Sequence, residues 1–320
     1  MGLLAGVGLV VAVLGLYLFA GMPGSATAAQ GVTPATLVVA DERSLHHLNL
    51  YVANDLGLFK KHGLDVRLVE ARDPAAVRDL VLTGQADIFW SCPSVAVMAI
   101  AQGAPLKIIA QAKTPCGAVL VVPKGSPVRG AADLKGRRFA GPSANCEGVL
   151  AYQGRARAAG GEFGVVVESA SRALVDLATG KVDGAILEEP HLSLALGKGF
   201  RPVLKDVAAA LPCRTINART GILQERPAAL LRFVQATAEA NAWLANHKTG
   251  PDVQAIAERY TSTPAAILPK ALSRLKFSDR VDEARIKRLA EEMRASGLIR
   301  ENPKERLYAA EFKGVTWAVQ

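Results

Sequence analysis

Between residues 35 and 113 short apolar strands alternate with helices closed by glycine, and this alternation constrains the fold more than any other feature. "ATLVVA" (35–40) reads as a strand, "LNLYVANDLGLFKKHG" (48–63) as a helix ended by Gly63, and "DVRLVEA" (65–71) as a strand of alternating polarity. "PAAVRDLVLTG" then predicts a helix closed by Gly84, "ADIFW" a strand, "PSVAVMAIAQG" a helix closed by Gly103, and "LKIIAQA" a strand. Strands separated by single helices pair in parallel, because right-handed crossovers lay each new strand beside an earlier one and cover both faces.

Near residue 119 the pattern restarts. "GAVLVVPKGSPV" leads into "AADLKGRRFAG", and "GVVVES", "SRALVDLATGK" and "VDGAILEEP" continue a second α/β lobe through the middle third. After "TINAR" (215–219) the chain turns helical, with "RPAALLRFVQATAEANAWLANH", "DVQAIAERY", "PAAILPKALSRL" and "VDEARIKRLAEEMRASG". No low-complexity linker separates the parts, so the expectation is two lobes joined by two crossings. An internal echo supports a shared plan: "VLTGQADIFW" and "DLATGKVDGAIL" both run helix, Gly cap, strand, with Asp87 and Asp183 at the strand entrances. A Gly-capped helix feeding a strand produces the same echo without duplication.

The N-terminal "LLAGVGLVVAVLGLYLFA" precedes "GMPGSATAAQG", where Ala26-Thr27-Ala28 fits a signal-peptidase site. Residues 1–30 are thus expected to be a signal peptide or, given the 18-residue apolar run and no basic flank, an N-terminal membrane anchor. No cysteine lies near residue 25, which argues against a lipid anchor. The rest, 50% hydrophobic over the whole 320 residues, is long enough to bury a full core in two lobes. Its net charge of +9 is spread through helices among acids and few aromatics, the pattern of a solvated surface and not of a nucleic-acid interface.

The segments "YVANDLGLFKKHGLDVRLVE", "LTGQADIFW", "AQGAPLKIIA", "AADLKGRRFAG" and "LATGKVDGAILEEP" resemble, in order and spacing, those of periplasmic substrate-binding proteins of ABC importers, of the nitrate, sulfonate, taurine and thiamine-precursor type. The resemblance spans about 35–245. It implies an α/β, two-lobed periplasmic binding protein fold, each lobe a mainly parallel sheet flanked by helices, with the ligand cleft between lobes. Lobe one would hold 34–118 plus 215–320 with the C-terminal helices, lobe two 119–214, and hinges would lie near 119–122 and 215–219. The implied role is capture of a small ligand outside the cytoplasm, in the periplasm or at the extracytoplasmic face, for an ABC permease and its ATPase. A ligand-sensing partner of a membrane sensor kinase would use the same cleft.

Ligands of open parallel sheets bind beyond the carboxyl ends of the strands, where loops and helix N-termini present free N–H groups. The candidates are therefore Asp41 to His47 after the first strand, Ser91 and Cys92 after "ADIFW", Thr114 to Gly117 after "LKIIAQA", Ser143 to Glu147 after "RRFAG", and Glu188 to His191 after "GAIL", with Ser44, His46, His47, Ser91, Cys92, Thr114, Cys116, Ser143, Asn145, Cys146 and Glu189 singled out among them. Cys213, in "ALPCRT", precedes the second crossing. Hydroxyls and amides suit a neutral or anionic metabolite, whereas thiols and imidazoles suit a soft metal. Four thiolates, Cys92, Cys116, Cys146 and Cys213, converging across the cleft would hold a thiophilic metal, a metalloid or an iron–sulfur cluster. No C-x-x-C pair is present, and two disulfides or inert buried thiols fit the same residues, with a small organic anion or thiamine precursor as ligand.

His62 and His247 read as helix-end charges, Asp133 as a helix-start residue, Trp90 as cleft wall or core, and Trp243 as core. The fold is shared by a thiamine-pyrimidine synthase, but the export segment and the absence of that enzyme's adjacent cysteines point away from an enzyme. No G-x-S-x-G, Walker loop or H-E-x-x-H is present either.

Overall fold

The structure, a computed structural model, describes residues 34–312. The expected signal or anchor segment, 1–30, lies outside them. Among the described residues no helix is long and apolar enough to cross a membrane.

Two five-stranded sheets organise the chain. The first half supplies β1 (Ala35–Asp41), α1 (Leu48–Asp55), α2 (Leu58–Lys61), β2 (Leu64–Glu70), α3 (Pro74–Leu82), β3 (Ile88–Ser91), α4 (Pro93–Ala101) and β4 (Leu106–Lys113). The middle supplies β5 (Val119–Val122), β6 (Arg138–Gly141), α5 (Glu147–Ala158), β7 (Gly164–Val167), α6 (Ala170–Ala178), β8 (Gly184–Leu187), α7 (His191–Gly197) and β9 (Arg201–Val203). The chain then returns through β10 (Arg214–Arg219) to α8 (Thr220–Glu225), α9 (Pro227–His247), α10 (Pro251–Thr261), α11 (Leu268–Arg274) and α12 (Glu283–Ala295).

Sheet order is β2-β1-β3-β10-β4 in one sheet and β7-β6-β8-β5-β9 in the other. Within each, the first three strands are parallel, as the alternation requires. The strand that follows a crossing breaks the rule: β10 runs antiparallel to β3 and β4, and β5 antiparallel to β8 and β9. No α-helix lies between β4 and β5 or between β9 and β10, so no helical crossover forces either strand to run parallel.

The Asp87/Asp183 echo has a structural counterpart. Asp87 Oδ2 accepts from Val38 N of the neighbouring strand (2.9 Å), and Asp183 Oδ2 accepts from Arg138 N in the same way (2.9 Å). Each carboxylate also takes an arginine, Arg226 at 2.5 Å and Arg137 at 3.1 Å.

Three local expectations change. The helix read over 48–63 is broken at Gly57, whose φ of +66° an L-residue adopts only at a cost. His62 binds Glu239 Oε2 through Nε2 at 3.0 Å in addition to ending a helix. Trp243 is half-buried and stacks on His247, whereas Trp90 is core, fully buried and edge-on to Phe233.

The C-terminal helices touch both halves. α12 packs on α4 and α5, with Arg157 Nη2 2.7 Å from Glu292 Oε2, and Arg274 of α11 reaches Glu189 at 2.9 Å.

Candidate functional site

A cavity of about 700 Å³ opens between the two sheets. Its walls are the segments that follow the carboxyl ends of β1, β2 and β3 on one side and of β6, β7 and β8 on the other. Local sequence explains this. Asp73, Cys92, Cys146 and Ser169 are the N-caps of α3, α4, α5 and α6, so each strand delivers a helix N-terminus to the cavity.

The expected site residues divide into two groups. Ser44, Cys92, Ser143, Asn145, Cys146 and Glu189 line the cavity. His46, His47, Ser91, Thr114, Cys116 and Cys213 do not; they lie behind its wall or within the sheet. Ser91 is fully buried, and neither its Oγ nor Thr114 Oγ1 has a hydrogen-bond partner among the described residues. His47 is locked by Asp41, whose Oδ1 stands 2.5 Å from Nδ1, and its Nε2 accepts from Arg214 Nε at 3.2 Å. Glu189 accepts from Arg274 and from Ser193 N, so its charge is already neutralised.

The four cysteines are free and do not converge on one point. This corrects the expectation of a four-thiolate centre and equally that of two disulfides. Cys92 and Cys146 stand at the cavity wall as helix N-caps, and burial holds both thiols above their ordinary range. Cys116 and Cys213 sit together deeper in, on the two passages of chain between the sheets. The reason is topological: each crossing carries one cysteine, whereas the other two cap helices in opposite sheets.

What does converge is a mixed set. His46, Glu188 and Cys213 form a cluster that offers one ligand atom each, all within 4.8 Å of one another. His46 Nδ1 is 3.5 Å from Glu188 Oε2 and 3.6 Å from Cys213 Sγ, and Glu188 Oε1 is 3.5 Å from the same sulfur. Burial alone would raise the Cys213 thiol. The hydrogen bond from Cys116, the charges of Lys113 and Arg214 and the hydrogen bond with His46 instead hold it well below the ordinary thiol range.

The family described as NMT1/THI5 like matches residues 44–250. The chain belongs to that family. Its fold is similar to that of the periplasmic aliphatic sulphonate binding protein SsuA from Escherichia coli, at 18% identity and a TM-score of 0.74, covering 86% of this chain and 92% of that one. It is also similar to the ligand-binding component of an ABC-type import system from Staphylococcus aureus with zinc bound (14% identity, TM-score 0.73, 88% and 98% covered). A third likeness is to the desulfurization enzyme DSZB (16%, 0.66, 88% and 98%). No curated protein matches the chain.

Two charged groups that shape this NMT1/THI5-like site, Arg214 and Lys113, lie outside the segments expected to form it, and two more, Glu42 and Glu147, lie within those segments but are not among the residues singled out. Arg214 is 6% exposed and donates to Glu188 Oε2 at 3.0 Å. Lys113, 1% exposed at the end of β4, places Nζ 3.1 Å from Cys213 Sγ. Glu42 and Glu147 are buried carboxylates with pKa raised by desolvation, Glu147 to about 7. Arg214 and Lys113 are each adjacent in sequence to a singled-out residue, and that adjacency is the only signal they carry. A charged residue in a loop is most often solvated, and only the second sheet closing over them makes them buried.

Proposed function

We propose that this chain is the extracytoplasmic solute-binding component of an ABC import system, which captures a small organic solute in the cavity between its sheets and delivers it to a membrane permease driven by an ATPase. The observation that carries this reading is the 700 Å³ cavity walled from both sheets, with four helix N-termini at its edge. A volume of that order suits an organic molecule and exceeds what a bare inorganic anion fills. Helix N-termini with Ser143 and Asn145 favour a solute bearing an anionic or hydrogen-bond-accepting head, the sulfonate, taurine or thiamine-precursor class. Support also comes from membership of the family and from a fold shared with two proteins described as binding components. In this reading the chain does no chemistry on its solute.

The experiment is a thermal-shift and native mass-spectrometry screen of the exported chain against alkanesulfonates, taurine and thiamine pyrimidine precursors. One solute bound per chain, raising the melting temperature, is expected. A chain that carries no solute on isolation and responds to none of these sinks the reading.

A second reading has its own observation. His46, Glu188 and Cys213 offer an imidazole nitrogen, a carboxylate oxygen and a sulfur within 4.8 Å of one another, the nitrogen and sulfur 3.6 Å apart, the donor set and spacing that suit a cation held at about 2.0–2.3 Å such as zinc. A zinc-like divalent cation would bind there, drawing together the segments after β1 and β8, and would have to displace Lys113 Nζ from the sulfur. Zinc-dependent stabilisation that disappears in His46→Ala supports it; stabilisation unchanged in that variant removes it.

A further inference from the structure

We propose that Arg274, the last residue of α11, is the release catch of the cleft: its bridge to Glu189 and Ser193 holds the segment after β8 against the first sheet and its helices, and the cavity opens when that bridge parts. Glu189 lines the cavity, and Arg274 acts through it as a positioning residue. The proposal concerns how the cavity opens and does not depend on which solute it takes.

The two sheets meet in two different ways. Around α4, α5 and α12 they share one core: Phe89 and Ile108 of the first sheet lie in the same cluster as Leu120 and Phe139 of the second, together with Ile286 and Leu289 of α12. Around α11 and α7 the cores are separate. Leu268 and Leu272 of α11 are buried with Leu37 and Ile109 of the first sheet, whereas Leu192 and Ala195 of α7 are buried with Val121 and Ala140 of the second. The chain just beyond α11 is also fixed to the first sheet, where Ser278 N donates to Ala112 O of β4 at 3.3 Å.

Polar groups bridge this second junction. Arg274 Nη1 donates to Glu189 Oε1 at 2.9 Å and to Ser193 Oγ at 2.7 Å. Glu189 Oε2 accepts from Ser193 N at 3.2 Å, so one carboxylate ties the start of α7 to the end of α11. Further in, His46 Nε2 donates to Glu189 O at 3.1 Å and Arg214 Nη2 to Glu188 Oε2 at 3.0 Å. Water replaces a hydrogen bond at small net cost, whereas parting a shared apolar core exposes all of its area. The shared core is therefore the pivot, and the segment 188–193 is the edge that moves. The passages 114–118 and 204–213, which carry no α-helix, are the hinges.

Of the side chains that grip this edge, Arg274 is the most open to solvent. It is 39% exposed, against 7% for Arg214 and 2% for His46. Water and salt compete first for an exposed guanidinium, whereas buried pairs are screened much less. The bridge of Arg274 is therefore the first to yield, and the buried contacts of Arg214 and His46 part only after it. Opening uncovers two buried groups outside the bridge: the His46 imidazole, under the Glu189 carbonyl, and the Cys146 thiol in the cavity wall.

The test compares the full exported chain with Arg274→Gln, both treated with a chelator and a reductant that is then removed. Peptide mass spectrometry follows carbethoxylation of His46 by diethyl pyrocarbonate, with exposed His247 as the internal reference, and alkylation of Cys146 by iodoacetamide. Hydrogen exchange of the α12 amides reports global stability. In the variant His46 and Cys146 should both react about three- to tenfold faster, with α12 unchanged. Raising sodium chloride from about 0.05 M to about 0.5 M should speed both reactions in the wild type and leave the variant unchanged. The proposal is overturned if neither group speeds up, or if His46 alone does, since that is the loosening of one loop. It is equally overturned if α12 exchange rises by the same factor, or if salt acts on both proteins alike. The wild-type salt series decides the matter even where the variant does not fold: no response of His46 and Cys146 to salt overturns the proposal.

Discussion

Glu147 Oε1 accepts a hydrogen bond from Ser94 N at 2.8 Å, so a carboxylate that begins α5 over one sheet caps α4 over the other. The first turn of α4, whose N-cap Cys92 makes no side-chain cap bond of its own, is thereby closed from across the cleft. Burial pushes Glu147 up to about 7, with Arg214 and the Ser94 bond opposing the rise.

Stability should therefore depend on pH in part through this group. Its folded pKa is above the unfolded value near 4.5, so its contribution is fully present below pH 4.5 and is lost as pH rises through 7. Glu147→Gln keeps the accepting oxygen and removes the titration. Urea unfolding of both proteins at a series of pH values should give equal stabilities near pH 4.5 and a variant more stable by about 3 kcal/mol at pH 8. Parallel curves for the two proteins would show that Glu147 does not titrate in this range.

Arg214 donates to Glu188, to His47 and to the Cys213 sulfur from a buried position. Arg214→Met leaves those partners facing an apolar side chain. It should cost about 3–5 kcal/mol in denaturant unfolding, the penalty for an unpaired buried charge. A cost below about 1 kcal/mol would mean that the Arg214 hydrogen bonds to Glu188, His47 and Cys213 contribute little to the folded state.

Asn145 is half-buried at the cavity wall. Asn145→Trp should fill solute space without touching the core, leaving the melting temperature of the solute-free chain within a few degrees of wild type. Stabilisation by a solute present at 100 times its Kd, about 2.7 kcal/mol, should disappear. Retention of that stabilisation would place the solute elsewhere.

Gly148, in the first turn of α5, has no room for a methyl group. A Cβ there would stand 2.5 Å from Ala118 Cβ and 3.1 Å from Ile186 Cγ2. Gly148→Ala should cost about 1–3 kcal/mol, read as a lowered denaturant midpoint. Gly197→Ala, where nothing lies within 4 Å, is the control expected to be neutral or better. Equal behaviour of the two would mean that α5 is free to shift off β8.

The architecture was legible because it follows from local signals. Apolar runs such as "ATLVVA" and "ADIFW", closed by Gly84 or Gly103, state element type and order, and one intervening helix dictates a parallel pair. The same logic located the cavity wall, since residues after strand ends reach it whatever the ligand, and Ser143, Asn145, Cys92 and Cys146 are there. Local signals cannot report how two sheets close on each other. The return of β10 into the first sheet put Cys213 beside His46, 167 positions away, and beside Lys113, 100 positions away, and closure of the second sheet buried Glu147 against Ser94. By itself the sequence determined the elements, their order and the face that carries the site, because backbone propensity and crossover handedness act over short spans. Only the tertiary structure decided which charged groups surround Cys213 and Glu147, because charge and burial there are summed over side chains that share no neighbourhood in the chain.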